Sequence, residues 1–369
     1  VASAVSAPFV VHAGAHKTGT TAVQAWLQRE RKALLERQVL VPTFGVGGQG
    51  NHANLIRALL DAPDTSPAEA TNLREALRRE AEAHPRHTIV VSSEYVETPQ
   101  CRPRLHRLVE QIRALDREPV AVFGCREQGA LLNSRHAQRR KAFLRVVPFD
   151  AFARRAVARR SGDWQAWAAQ LEAAGFRVLP FAYTDEVRRQ GVATSMARLP
   201  PLAAAAPLAT RAGRDEVNPS LGSVGLILAD LVRSRVEASR GMVGDGSRGP
   251  LQKLVMRQAA AWTDVPFNGL DGAAASELRA HFADSNRAFA ERYLGQPWDE
   301  LFPEPHEWPA VSPQRLEDLD PALREAVLRA ADEVLRRADA RAIWSRAVSG
   351  PGRGRSSRRF PSSREEPPG

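Results

Sequence analysis

Short, unbroken apolar runs separated by longer helical stretches constrain this chain more than any other feature. Phe9–Ala13, Thr88–Ser92, Pro119–Cys125 and Phe176–Phe181 are near-continuous apolar runs rather than alternating ones, and Gln38 to Val41 adds a weaker run. A strand apolar at nearly every position is buried on both faces, which requires helices above and below a largely parallel sheet. Helical periodicity supplies them between the strands, at Thr20–Arg37, Ala53–Leu60, Pro67–Ala83, Pro103–Leu115, Gly129–Phe143 and Asp163–Ala174. After Tyr183 strand signals become scarce. Helical patterns follow at Ser220–Ser239, Gln252–Ala261, Ala273–Phe282, Ser285–Tyr293 and from Pro321 to about Ser345. Leu199–Asn218 and Gly241–Pro250 read as connectors. The expected fold is α/β, a three-layer domain with a central, mainly parallel sheet, carrying a helical C-terminal annex. Residues 1–310 would form that domain, with the annex at about 199–310, a helical extension at 311–348 and a disordered basic tail at 349–369.

Composition narrows the setting. At 43% hydrophobic residues the 369-residue chain can bury a sizeable core. No apolar run approaches the roughly 20 residues that a membrane helix needs. Only Cys101 and Cys125 are present, too few for a disulfide framework, and the first residues lack a charged segment followed by an apolar one. A soluble, reducing, cytoplasmic setting is expected. The formal charge of +10 invites a nucleic-acid reading, but the stretch Gly350–Gly369 holds five arginines against two glutamates. The remaining excess is spread over helices that also carry many glutamates, which reads as a solvated basic surface.

The segment Gly14–Thr21, GAHKTGTT, follows the first apolar run and opens a helix. Strand, small-residue loop and helix N-terminus together make an anion cradle of backbone N–H groups. Gly14 and Gly19 permit close approach, Thr18, Thr20 and Thr21 add hydroxyls, and Lys17 adds a cation. Lysine occurs elsewhere only at 32, 141 and 253 in a chain otherwise rich in arginine, so Lys17 departs from the chain's own habit. A nucleotide-binding loop of the Walker type ends G-K-[ST]. Here Lys17 precedes Gly19, with Thr18 between them, so ATP with magnesium is not the expected ligand. His16 either orients the loop or is simply exposed, and no second ligand stands at a metal-site spacing. Taken alone, the segment also fits an ordinary turn capped by Thr20 or Thr21.

Two more segments carry chemistry. TIVVSSE ends a buried strand at Ser92 and places Glu94 at the strand's carboxyl end, where ligands of open parallel sheets sit. A glutamate there can act as a general base, or merely cap a helix. VAVFGCREQGALLNSRHAQRRK ends a strand at Cys125, sets Arg126 just beyond it, and carries Ser134 eight residues later on a helix. Arginine at a strand end with serine on the following helix is a workable phosphate clamp.

Together these segments resemble the sulfotransferases that use 3′-phosphoadenosine 5′-phosphosulfate (PAPS), in their bacterial branch. The HKTGTT loop is similar to their 5′-phosphosulfate loop, and Arg126 and Ser134 match the order and spacing of their 3′-phosphate motif. Gln138 suits the same helix. Glu94 stands where members carry a histidine or glutamate base. Trp164 to Phe181 and Ala283 to Tyr293 also look like that branch. The C-terminal R-K-G signature of cytosolic members is absent, and Arg287 or another arginine of the annex would replace it. The resemblance implies a P-loop-like fold and transfer of a sulfuryl group from PAPS to a hydroxyl or amine, in a carbohydrate or glycoconjugate by preference. It implies catalysis by Lys17 and Glu94, and PAPS held by His16, Lys17, Thr18, Gly19, Thr20, Thr21, Arg126, Ser134 and Tyr183. Tyr183, or Phe181 instead, would stack on adenine, whereas Trp26 belongs to the core. No metal is implied. Acceptor contacts would come from Val46–Leu60 and Leu199–Arg240, including Asn51, His52, Asn54, Arg211, Arg214 and Asn218. The rival readings are a P-loop kinase or nucleoside triphosphatase and a non-enzymatic nucleic-acid binder.

Overall fold

The structure is a computed structural model that describes residues 6–47, 50–209, 221–262, 266–341 and 343. Among these residues five strands, β1 (Pro8–His12), β2 (Val39–Leu40), β3 (Thr88–Ser92), β4 (Glu118–Cys125) and β5 (Arg177–Ala182), pair in parallel in the order β2-β3-β1-β4-β5. The chain leaves β1 toward β2 and β3 on one side, then crosses to β4 and β5 on the other. The carboxyl end of β1 is therefore the switch point of the sheet, the place where open parallel sheets bind their ligands.

Among the described residues eight α-helices lie between the strands: α1 (Thr20–Arg29), α2 (Arg31–Glu36), α3 (Ala53–Leu59), α4 (Pro67–Ala83), α5 (Leu105–Arg113), α6 (Gln128–Lys141), α7 (Phe149–Ala158) and α8 (Trp164–Ala174). After β5 come α9 (Asp185–Gln190), α10 (Val192–Ala197), α11 (Ala206–Ala209), α12 (Ser223–Arg240), α13 (Asp245–Gln258), α14 (Gly272–Phe289), α15 (Trp298–Leu301) and α16 (Pro321–Ala340). Local chemistry sets many of the ends. Ser66 caps α4 by accepting from the Glu69 N–H, with Pro67 at the first helical position. Asp163 caps α8 through the Ala166 N–H, and Gly175 ends that helix at φ 104°.

Both faces of the sheet are covered, which is why its strands read as continuous apolar runs. Phe9, Val11, Ile89, Val91, Ala121 and Phe123 enter one core with Leu55, Leu77, Leu108 and Trp164. Val10, Val90, Val120 and Val122 enter the opposite core with Trp26, Leu27, Leu34 and Met196. Each fully buried side chain of this size contributes about 1.5–3 kcal/mol. A third core joins Val232, Leu254, Leu278, Val327 and Val334 of the C-terminal helices to Leu132 and Phe149. Among the described residues no helix is long and apolar enough to cross a membrane.

Several expected boundaries change. The helix expected over Thr20–Arg37 turns at Glu30, which brings Leu34 into the core of Trp26 and Leu27. The expected break between Phe282 and Ser285 is absent: α14 runs through and widens into a π turn, Ala290–Leu294, stopped by Gly295 at φ 67°. The connector expected at Leu199–Asn218 is a 3₁₀ turn followed by α11 as far as Ala209, because Leu202, Ala205 and Leu208 bury against α10. Its remainder from 210 lies outside the described residues. Asp245 to Pro250, expected as connector, forms the first turns of α13 with the proline inside the helix. α7, α9, α10 and α15 had no distinct sequence signal.

Candidate functional site

The loop after β1 lies at the switch point and curls through two left-handed residues, Lys17 at φ 76° and Gly19 at φ 82°. For lysine that conformation costs roughly 1–2 kcal/mol, and such strain gathers at functional sites. Gly19 has a second reason to be glycine. A Cβ there would stand 2.8 Å from Val192 and 3.1 Å from the Tyr183 ring, so the loop is wedged against α10 and the end of β5. Below it, a Cβ on Gly124 of β4 would meet Thr18 at 3.0 Å. Thr18 itself is fully buried, and its hydroxyl donates to the Ala15 carbonyl at 2.7 Å. Its side chain braces the loop.

Gly19 caps α1 without any side-chain partner. The backbone N–H groups of Lys17, Gly19, Thr20 and Thr21 have no acceptor among the described residues. These are orphan donors at a helix N-terminus, aimed where an anion would sit.

Three distant segments converge on this loop. Lys17 Nζ donates to Gln138 Oε1 of α6 at 2.5 Å. Arg126, just past β4, donates through Nη1 to the Lys17 carbonyl at 3.1 Å, and its guanidinium stands 5.6 Å from the Tyr183 ring centre. Glu94, just past β3, accepts the Thr20 hydroxyl on one oxygen and faces His16 Nδ1 at 2.8 Å with the other. Glu97 accepts the His16 backbone N–H at 3.1 Å and pairs with Arg135 of α6 at 2.6 Å. Ser134 is half-buried on α6, with no side-chain hydrogen bond among the described residues.

Electrostatics follow from this packing. Burial, then the charge of Lys141, lowers the Lys17 pKa to about 8, with Arg126 adding to and Glu94 opposing the shift. Burial alone would raise the Glu94 pKa; the hydrogen bond and charge of His16, with the Thr20 hydroxyl, overcome it and hold the carboxyl at about 2. For His16 burial works downward, yet Glu94 and Glu97 raise its pKa above the ordinary value.

A supporting shell holds these groups. Trp164 donates from Nε1 to the Arg126 carbonyl at 2.9 Å. Buried Gln128, at the start of α6, exchanges hydrogen bonds with buried Asn286 at 2.7 and 3.1 Å, and Ser285 donates to the Asp163 cap at 2.6 Å. The segments around Trp164 and Asn286, singled out by resemblance, thus position Arg126 and α6.

Sequence reasoning missed Glu97 and His12. Glu97 is an ordinary surface-type residue that meets the loop only through folding, whereas Arg135 and Lys141 belong to the basic run after Ser134 that the sequence marks as an enlarged positive surface. His12 is fully buried with Nδ1 2.8 Å from the Ser92 hydroxyl, its register partner in β3, and burial lowers its pKa to about 4. Its place on an apolar strand next to the loop was the available signal.

Other expected positions fall elsewhere. Phe181 is a core residue, and Trp26 is one too, as expected. His52, expected near an acceptor, is fully buried and tied to the Pro42 carbonyl at 3.0 Å and the Ser92 N–H at 3.2 Å, so it holds the β3 end. Arg287 pairs with Asp284 on its own helix and lines a cleft of about 810 Å³ that does not border the loop. It is therefore not placed to replace the missing clamp. Arg211, Arg214 and Asn218 lie outside the described residues. Among the described residues no three His, Cys, Asp or Glu side chains are grouped to hold a metal ion. No protein-family model, curated protein or solved structure matches the chain.

Proposed function

We propose that this protein is a PAPS-dependent sulfotransferase, moving a sulfuryl group to a hydroxyl or amine of an acceptor, with a carbohydrate or glycoconjugate preferred. The observation that carries the reading is the meeting of Lys17, Arg126, Glu94 and the Ser134 helix at one sheet edge. By resemblance, the loop and the Arg126–Ser134 pair answer to separate phosphate-bearing parts of one donor molecule, and Glu94 answers to the acceptor's proton. A nucleic-acid surface gives no reason for that convergence.

The residues suit the donor. The orphan amides from Lys17 to Thr21 form a preorganised cradle for the 5′-phosphosulfate, and preorganised donors cost no reorganisation when charge develops. Lys17 leaves Gln138 and faces the bridging oxygen, neutralising the phosphate as it departs. Arg126, joined by the Ser134 hydroxyl, takes the 3′-phosphate, and Tyr183 offers an aromatic face to adenine. Sulfuryl transfer, like phosphoryl transfer, is chiefly a matter of alignment and charge. Glu94 provides the carboxylate of the proton route.

Calorimetry separates the alternatives. Adenosine 3′,5′-bisphosphate (PAP) should bind tightly and ATP should not, irrespective of magnesium. Preference for ATP would move the assignment to a nucleoside triphosphatase. Binding of nucleic acid that falls steeply with salt, with none of PAP, would move it to a nucleic-acid binder.

A further inference from the structure

We propose that the proton acceptor of this site is His16, with Glu94 as the residue that orients it. The inference rests on the sulfuryl-transfer reading and names a different base from the one expected by resemblance.

Glu94 has both carboxylate oxygens engaged, one by the Thr20 hydroxyl and one by His16 Nδ1 at 2.8 Å. Held near a pKa of about 2, it is a weak base, because proton transfer gains little driving force when the acceptor pKa lies far below the working pH. His16 has the complementary arrangement. With Nδ1 donating to Glu94, the Nε2 lone pair is free to accept, and it has no partner among the described residues. The His16 side chain is 51% exposed against 23% for Glu94, so a substrate reaches the ring before it reaches the carboxylate.

The backbone that carries the ring is also fixed. Glu97 accepts the His16 backbone N–H at 3.1 Å and is pinned by Arg135 at 2.6 Å. The charged and titratable groups around His16 are Glu94 and Glu97 beyond β3, Arg135 on α6, Lys17 beside it in the loop, and His12 on the far side of Glu94. The two carboxylates prevail, which raises the basicity of His16. Carboxylate, imidazole and an exposed Nε2 reproduce the logic of a triad base, in which the acid sets the tautomer and stabilises the imidazolium.

The step balances without a further reagent. As the acceptor oxygen or nitrogen forms its bond to sulfur, its proton passes to His16 Nε2. The bond between sulfur and the bridging oxygen breaks, and its electron pair leaves with PAP beside Lys17. The imidazolium, paired with Glu94, then returns its proton to water.

The test uses the full chain with PAPS and a panel of water, simple phenols, sugars and amines, following PAP release, together with PAP calorimetry and the NMR titration of His16. The His16 backbone N–H is taken by Glu97 and its Nδ1 by Glu94, so the cradle is made by the amides that follow it, and the expected PAPS contact of the His16 side chain is dropped. His16→Gln should keep PAP affinity within a few-fold while losing about 10²- to 10⁴-fold in turnover, the usual share of a general base. At saturating PAPS the acid limb of the wild-type turnover should follow the His16 titration. Glu94→Gln should move both that limb and the titration toward the ordinary histidine value and lower turnover less than His16→Gln does. Full turnover in His16→Gln, or a His16 titration unmoved by Glu94→Gln, overturns the dyad and leaves the sulfotransferase reading standing. Wild-type protein that binds PAP but releases none from PAPS also overturns the base role. Failure of the wild type to bind PAP instead sinks the sulfotransferase reading itself, which is read separately from both variants.

Discussion

Lys17 and Gln138 are 121 positions apart, and the ammonium of one donates to the amide oxygen of the other at 2.5 Å. The strained loop lysine is thereby parked against α6, in a site that also lowers its pKa. Its neutral partner keeps the charge available to an arriving anion, where a carboxylate partner would have consumed it.

Replacing that cation should disable chemistry more than folding. Lys17→Ala is expected to lower turnover by about 10³-fold or more, the scale of losing one preorganised charge-stabilising group. Thermal unfolding should move little, since the substitution removes a half-buried side chain and no core contact. Near wild-type turnover at saturating PAPS would contradict the assignment of Lys17.

Arg126 is expected to govern recognition of the 3′-phosphate. Arg126→Ala should raise the Michaelis constant for PAPS by roughly 10- to 100-fold, in line with loss of a charge-assisted hydrogen bond. Calorimetry with PAP and AMP gives a sharper check: the wild type should prefer PAP, and the variant should lose that preference. An unchanged preference would put the 3′-phosphate elsewhere, and a loss shared equally by PAP and AMP would mean that Arg126 acts only by holding the Lys17 carbonyl.

The lowered Lys17 pKa sets a pH dependence for binding. Protonated lysine predominates below about 8 and neutral lysine above it. PAP affinity should therefore be flat on the acid side of that value and fall as pH rises through it. A bound phosphate favours the charged form, so binding above that pH should be accompanied by proton uptake. Calorimetry in buffers of different ionisation enthalpy measures that uptake, which should be absent in Lys17→Met.

His12 should limit stability in acid. It is fully buried, and its pKa falls from 6.5 to about 4 on folding. Between those values the unfolded chain binds the proton and the folded chain does not, so stability is lost as pH falls through that window. The full effect is on the order of 3 kcal/mol by linkage. Denaturant unfolding of the wild type from neutral pH to pH 4 should show the decline. His12→Asn, which cannot titrate, should flatten it even though it starts less stable.

Much of the fold could be read before any contact was known. The strand over Thr88–Ser92 and the helix over Pro67–Ala83 occur with the expected bounds, because an apolar run buried on both faces and a Ser-Pro helix start are local signals. Glu30 and the α14 junction were misread for the opposite reason. Whether a periodic segment bends there depends on whether Leu34 or Phe289 can reach a core, and that is a property of its neighbours. α9 and α10 are too short for periodicity to register, and α10 is stabilised by burial of Met196 and Ala197.

The same division holds at the site. The amino-acid sequence by itself determined an α/β chain with a glycine-bounded lysine loop after its first strand, and it marked Glu94, Arg126 and Ser134 as candidates. These are read from residue type, spacing and periodicity, all of which act over a few turns of chain. Only the tertiary structure decided what each one touches: that Lys17 rests on Gln138, that Arg126 holds the loop's backbone, and that Glu94 is spent on Thr20 and His16. Parallel strands bring residues from distant segments to one edge, and pKa values depend on what burial and charge surround them there. The change in role from Glu94 to His16 follows from that distinction, since hydrogen-bond occupancy is set by three-dimensional packing and leaves no mark on spacing.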